Sequence, residues 1–174
     1  MKNLSLVLCL FFVTSALHSQ DLQPVKLSYK DSIELSTIWV KYKQALANRD
    51  IHLLHNLSSK IVDCDIFQTP DPIHPQNPNI SIDTFLHEFY AALPTMKLWR
   101  VMKTKKYHME VERALYSNTT NVTFQKNKSL LIYYIWYVTF EPNEIEKGHE
   151  GQSEAFQFMK INGKFKFYGL TSIP

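Results

Sequence analysis

The chain has 174 residues, of which 45% are hydrophobic and 20% are charged, and its formal net charge is +3 at pH 7. This composition supplies enough apolar material for a packed core and excludes a disordered chain. A charge balance this mild, with acidic and basic residues mixed along the sequence, excludes nucleic acid as an expected partner and strong attraction to a membrane surface.

The first segment is typical of a secretory signal peptide. Lys2 precedes an apolar run that continues to Ala16, and the small residue Ser19 follows. The run is too short to span a membrane as a stable helix. We therefore predict that residues 1–19 are a signal peptide, cleaved after Ser19 or alternatively after Ala16. The remaining residues 20–174 form a single domain, secreted or periplasmic, with no further segment apolar enough for membrane insertion.

The cysteines predict a core without a disulfide. Cys9 lies within the signal peptide, where lipid attachment is disfavoured because Leu8 precedes it instead of a small residue. The mature chain then holds only Cys64, and an exported chain with one cysteine cannot form an internal disulfide.

The mature chain opens on a pattern that predicts a helical hairpin. Asp31 and Ser32 are candidate N-caps, and apolar residues follow at spacings of three and four from Leu35 to Leu46. A polar break ends this helix, and Asp50 is a candidate cap for a second helix over residues 51–57.

A strand, a loop and a third helix are predicted next. Ile61–Phe67 alternates apolar and polar residues, as a strand does. Thr69–Asn79 contains four prolines and predicts a loop. Ser81 or Asp83 caps a short helix that Pro94 ends.

Everything after Pro94 is predicted to be sheet. Tyr107–Tyr116 alternates, and Ala155–Ile161 and Lys164–Leu170 are joined by an Asn-Gly pair that favours a two-residue hairpin turn. Leu130–Phe140 is apolar on both faces, which is typical of a central strand covered on two sides. Helices would cover one face and a partner subunit the other, so the sequence predicts a homodimer.

Helices gathered before a run of strands predict an α+β fold. Within that order, the passage containing Trp39, Tyr42, Ala45, Leu46, Asp50 and Leu54, and the terminal passage Gly151–Pro174, resemble the NTF2-like superfamily of SnoaL-like and ketosteroid-isomerase-like proteins. The resemblance implies a cone in which N-terminal helices pack on a strongly bent antiparallel sheet. It also implies an exported bacterial member of unassigned function, which binds a small apolar ligand or a protein partner.

Members of this fold hold ligands between the helices and the sheet, so aromatic residues are the candidate pocket lining. The alternative is that these rings simply fill the core. The candidates are Trp39, Tyr42, Tyr90, Trp99, Tyr134, Trp136 and Tyr168.

The alternative function is a small lyase or isomerase. His108 shares one strand face with Glu110 and Glu112, and a histidine beside a carboxylate can act as an acid or base near neutral pH. The opposing interpretation is a solvated strand face. Tyr42 or Tyr134 could donate a hydrogen bond to an oxyanion, but no carboxylate in an apolar strand context supplies the base.

No metal or cofactor is predicted. Cys64 and His74 lack further ligands, and His52 and His55 do not form a set of three or four. A third possibility for the whole chain is an interaction module within an envelope assembly.

Overall fold

The structure, a computed structural model, describes residues 25–64, 66, 79–114 and 130–173. Within these ranges four helices and six strands form an α+β fold, as predicted, and the predicted signal peptide lies outside them. The elements are α1 (Tyr29–Asn48), α2 (Ile51–Leu57), β1 (Ser58–Cys64), β2 (Asn79–Ser81), α3 (Ile82–Ala92), α4 (Lys97–Thr104), β3 (His108–Ala114), β4 (Leu130–Phe140), β5 (Gln152–Ile161) and β6 (Lys164–Ile173).

The helical hairpin is confirmed, but its first cap is not the predicted one. Ser28 caps α1, because its hydroxyl accepts a hydrogen bond from the backbone N–H of Asp31 at 3.0 Å. The prediction of Asp31 or Ser32 was therefore wrong, and both lie in the first turn of α1. Asp50 caps α2 as predicted, accepting from the N–H of Leu53 at 2.9 Å.

The segment around α3 agrees with its predicted cap. Ser81 accepts a hydrogen bond from the N–H of Thr84, and α3 follows directly. Strand β1 begins three residues before the predicted start at Ile61, whereas the predicted end at Phe67 lies outside the described residues. Most of the predicted proline-rich loop also lies outside them; its last residue, Asn79, begins β2.

Helix α4 was missed, because the sequence after Pro94 was predicted to be sheet alone. Leu98, Val101 and Met102 form its buried face at helical spacing. Its N-cap residue is Met96, which makes no side-chain capping hydrogen bond. The helix has only 8 residues and no capping signal, so its pattern was too short to recognise.

The sheet is mixed instead of wholly antiparallel. Its strand order is β2-β1-β6-β5-β4-β3, and β1 lies parallel to β6 while every other neighbouring pair is antiparallel. Parallel neighbours need a long connection, and here α3, α4 and four strands separate β1 from β6. Periodicity within one strand carries no information about such a distant partner.

The strands at the end of the chain match their predicted positions, except that β5 begins three residues before Ala155 and β6 ends three residues after Leu170. The described part of β3, His108–Ala114, lies within its predicted range, and β4 has the predicted bounds Leu130–Phe140. The turn between β5 and β6 has φ values of 51° at Asn162 and 75° at Gly163, as a two-residue hairpin turn of this type requires.

The core lies between the helices and one face of the sheet. Seven large aromatic side chains in it have no exposed surface: Trp39, Tyr42, Phe85, Phe89, Phe156, Phe158 and Phe167.

A close backbone approach fixes β6 against β1. Gly169 pairs with Asp63 of β1 and with Gln157 of β5. A Cβ atom at this position would overlap the main-chain carbonyl oxygen of Asp63 and the side-chain oxygen of Gln157. The parallel β1–β6 pairing therefore depends on a residue without a side chain.

We expect Gly169→Ala to lower the free energy of unfolding by about 2 kcal/mol or more, because a backbone atom cannot move aside cheaply. Urea denaturation of the purified protein measures the change. Gly163→Ala is the comparison, because its Cβ would meet nothing within 4 Å. Only the backbone strain of alanine at a φ of 75° destabilises this variant, by about 1 kcal/mol. A Gly169→Ala protein no less stable than Gly163→Ala would contradict the predicted clash.

Candidate functional site

The space between helices and sheet, where the resemblance placed a ligand, is filled by aromatic rings. Trp39 and Tyr42 are fully buried there. The Trp39 ring lies 4.7 Å from that of Phe156, and the Tyr42 ring lies 4.8 Å from that of Phe167. Trp39 Nε1 donates a hydrogen bond to the Tyr137 hydroxyl at 3.2 Å. These two candidate residues therefore pack against other rings in the core.

The hydroxyl of Tyr42 is buried and has no hydrogen-bond partner among the described residues. The nearby Ser58 hydroxyl donates instead to the carbonyl of Leu54 at 2.7 Å. Burial raises the pKa of Tyr42 well above its usual value. Tyr42 is therefore a neutral hydroxyl enclosed in the core.

Three other candidates lie on the opposite face of the sheet. Tyr134, Trp136 and Tyr168 belong to a second apolar cluster, separate from the core. The rings of Tyr134 and Trp136 stack with centroids 5.4 Å apart. Burial raises the pKa of Tyr134 to about 12, and Glu112 adds to the shift. The structure therefore does not bring these residues together with Trp39 and Tyr42.

This outer cluster contains a donor and an acceptor without partners. Trp136 Nε1 and Gln157 Oε1 are buried and make no hydrogen bond within the described part of the chain. Gln157 was not singled out from the sequence, because its neighbours Ala155, Phe156, Phe158 and Met159 are all apolar and cannot reveal which face it occupies.

The last two aromatic candidates are half-buried beside the helices. The Tyr90 hydroxyl donates to the carbonyl of Leu46 at 3.1 Å, and the guanidinium of Arg49 lies 5.0 Å from the Tyr90 ring centre. Trp99 lies on α4, with the ammonium of Lys103 5.0 Å from its ring centre. Each lines a separate surface groove.

His108 lies at the start of edge strand β3 and is largely solvent-exposed. Its side chain is 58% exposed, and its Nε2 lies 4.0 Å from Glu110 Oε1. Its ring stacks on that of Trp136 at 6.4 Å, which places it on the outer face of the sheet. This geometry matches the solvated strand face that the sequence left open, and it separates His108 from Tyr42.

Sequence reasoning also missed a buried carboxylate. Among the described residues, Glu154 is the one acidic side chain that is buried, at 8% exposure. It lies opposite Tyr137 in the β4–β5 pair, so it shares the helix-facing side of the sheet. Within the described ranges, no three His, Cys, Asp or Glu side chains are placed to hold a metal ion.

A concave site of about 480 Å³ lies at the end of the β5–β6 hairpin, and we call it the hairpin cleft. It lies between the N-terminal half of α1, the end of α2 and the hairpin turn. Its volume falls within the range of small-molecule sites. Its apolar lining comes from Ile33, Ile38, Leu57 and Phe165, and its polar groups come from Glu34, Thr37, Asn56, Lys164 and Lys166.

An ionic cluster fixes α1 beside this cleft. The ammonium of Lys160 donates to Asp31 at 2.5 Å and to Glu34 at 3.1 Å, and the Tyr133 hydroxyl donates to Asp31 at 3.0 Å. The hydrogen bond from Lys160 holds the pKa of Asp31 below its usual value. The same bond raises the pKa of Lys160, while burial and then Asp31 raise that of Tyr133 to about 12. All three groups therefore keep their usual ionisation state at neutral pH.

No protein-family model matches the chain, and no curated protein is significantly similar to it. Within the described residues, no helix is long and apolar enough to cross a membrane.

We expect Asp31→Asn to lower the free energy of unfolding by about 1–2 kcal/mol at pH 7, because the ammonium of Lys160 and the Tyr133 hydroxyl lose their charged acceptor. Because the folded pKa of Asp31 is lowered, its contribution is present above the usual carboxyl value of about 3.9 and is lost as the pH falls through the folded value.

Urea denaturation at pH 7 and pH 3 measures this difference. Glu88→Gln, a change of the same kind at an exposed position of α3, is the control and should be neutral. If the difference in free energy of unfolding between the wild type and Asp31→Asn is as large at pH 3 as at pH 7, the stabilisation does not come from the charge of Asp31.

We expect Tyr42→Phe to leave stability unchanged or to raise it by up to about 1 kcal/mol, because the lost hydroxyl has no hydrogen bond to give up. Tyr90→Phe is the matched variant and should cost about 1 kcal/mol, because the Tyr90 hydroxyl does donate a hydrogen bond. Thermal and urea denaturation measure both. A Tyr42→Phe protein less stable than Tyr90→Phe would show that the Tyr42 hydroxyl makes a stabilising hydrogen bond.

Proposed function

We propose that this protein is an exported binding protein of the NTF2-like type, and that it takes a small apolar molecule in the hairpin cleft. The observation that carries the proposal is the contrast between two spaces. The interior between helices and sheet is filled by fully buried rings, whereas the hairpin cleft is open and has apolar walls.

The order of elements supports the NTF2-like assignment. A helical hairpin precedes a strand, further helices and a run of long antiparallel strands that closes on an Asn-Gly hairpin. This is the order on which the sequence resemblance rests. The same fold serves binding proteins and enzymes, so the site has to decide between them.

The polar groups of the hairpin cleft indicate the chemistry of the ligand. The Lys164 ammonium is exposed at the turn, and Lys166 donates to the main-chain carbonyl of Asn56. Glu34 is already engaged by Lys160. A ligand with an apolar body and an anionic group therefore matches the cleft better than a cation. The ammonium groups of Lys164 and Lys166 can attract an anion, whereas the carboxylate of Glu34 is already paired with Lys160.

The lyase or isomerase alternative has lost its best residue. His108 is exposed on the outer face of the sheet, far from the enclosed Tyr42. A reacting molecule would need an acid or base beside an accessible polar group in a closed site. The signal peptide, and with it export, stays a prediction from the sequence.

The anionic apolar probe 1-anilinonaphthalene-8-sulfonate tests the proposal, since its fluorescence rises in an apolar site. We expect saturable binding to the native protein, weakened by about tenfold or more in Asn56→Trp, whose indole would occupy the mouth of the cleft. His52→Trp is the matched control: it lies one turn earlier on α2, outside the lining, and also removes the His52–Asn56 hydrogen bond.

Equal binding to both variants would place the probe elsewhere and overturn the cleft as the site. Binding that appears only on partial unfolding would also overturn it.

A further inference from the structure

A second concave surface, of about 410 Å³, lies between the end of α1, the start of α2 and one face of α3, and we call it the Arg49 groove. It shares no residue with the lining of the hairpin cleft. Ile51 and Leu86 form apolar parts of its wall, and Arg49 and His87 supply its basic nitrogen atoms. The groove therefore combines apolar surface with the permanent positive charge of a guanidinium.

The guanidinium of Arg49 is held in place by two contacts that meet at one carbonyl group. The backbone of Arg49 is left-handed, with a φ of 52°, and its N–H donates to the carbonyl of Leu46 at 3.3 Å. The guanidinium lies 5.0 Å from the ring centre of Tyr90, whose hydroxyl donates to the same carbonyl at 3.1 Å. A cation that is positioned in advance loses less freedom when a ligand binds to it.

The contact with Tyr90 leaves the N–H groups of this guanidinium without an acceptor. Within the described part of the chain, the Arg49 side chain forms no ion pair and donates no hydrogen bond. A guanidinium presents its N–H groups as a planar fork that matches the two oxygens of a carboxylate. Arg49 is therefore suited to bind a carboxylate that enters the groove.

The acidic residue of the groove limits the charge that a ligand can carry. Asp83 lies on the same face of α3 as Tyr90, about 10 Å before it along the helix axis. Its Oδ1 is 2.9 Å from His55 Nε2, so Asp83 is paired with a histidine outside the groove lining. A monoanion at the Arg49 end lies away from this carboxylate, whereas a dianion such as phosphate is repelled more strongly.

We propose that the Arg49 groove binds an organic monocarboxylate, with its carboxylate on the guanidinium of Arg49 and its apolar group against Ile51 and Leu86. Ile51 is 44% exposed, so a ligand placed there removes apolar surface from water. His87 lies one turn before Tyr90 on α3 and supplies a further ring N–H to the carboxylate. This site does not depend on the ligand proposed for the hairpin cleft.

A titration of the isotope-labelled protein with benzoate, followed by two-dimensional NMR, tests the site residue by residue. We expect saturable shifts of the Arg49 side-chain N–H and of the backbone signals of Ile51 and His87. Benzamide, which has the same shape without the charge, should not produce them. The proposal is overturned if benzoate shifts only other residues or none, if benzamide binds equally well, or if inorganic phosphate binds more tightly than benzoate at Arg49.

Two substitutions separate the charge of Arg49 from its fork of N–H groups. Arg49→Gln should raise the dissociation constant of benzoate by about tenfold or more, and Arg49→Lys, which keeps the charge, should raise it several-fold. Arg100→Gln is the matched control, because Arg100 is an exposed arginine outside the groove. An Arg49→Gln protein that binds benzoate as tightly as Arg100→Gln would exclude Arg49 as the carboxylate ligand.

The same NMR signals keep the two proposed sites apart. Asn56→Trp should leave the benzoate shifts at Arg49 unchanged, because Asn56 lines only the hairpin cleft of the two. If Asn56→Trp abolishes those shifts as well, the Arg49 groove is not an independent site and the proposal fails.

Discussion

The packing of Trp39, a residue of α1, against the sheet is the interaction on which the rest of the structure depends. Its ring lies within 6.4 Å of five other rings, from both the helix layer and the sheet, and its N–H reaches the hydroxyl of Tyr137. A group that is both packed and hydrogen-bonded fixes the rotation of α1 about its axis as well as its distance from the sheet. Among the described residues, the same packing fills the space around Trp39 with aromatic rings.

Local signals in the sequence predicted the elements well where each element carries its own cap or turn. Asp50 and Ser81 cap the helices that follow them, and the Asn-Gly pair at 162 and 163 forms the hairpin turn. Helix α4 has no such signal, and neither does the parallel pairing of β1 with β6, which depends on the bare backbone at Gly169. Both are settled by contacts between distant parts of the chain.

The candidate site was less predictable, because β4 is apolar at successive positions. Alternation then distinguishes two faces without saying which one meets the helices. The sequence favoured Tyr134 and Trp136 as pocket residues, whereas Tyr133 and Tyr137 are the ones that face the core. A register shift between Gln157 and Phe158 adds a second complication, because it displaces the alternation of β6 around Tyr168. The hairpin cleft is also lined by short pieces of several elements, so no single sequence motif predicts it.

The three tryptophans occupy three different environments, and this gives the protein a spectroscopic reporter in each layer. Trp39 is enclosed in the core, Trp136 is stacked between Tyr134 and His108 on the outer face, and Trp99 lies beside Lys103 next to α1. Emission from these indoles should differ in wavelength and in access to dissolved quenchers, because burial and neighbouring charge differ at each. Single-tryptophan forms would therefore distinguish loosening of the core, changes at the outer sheet face and events beside the first helix within one molecule.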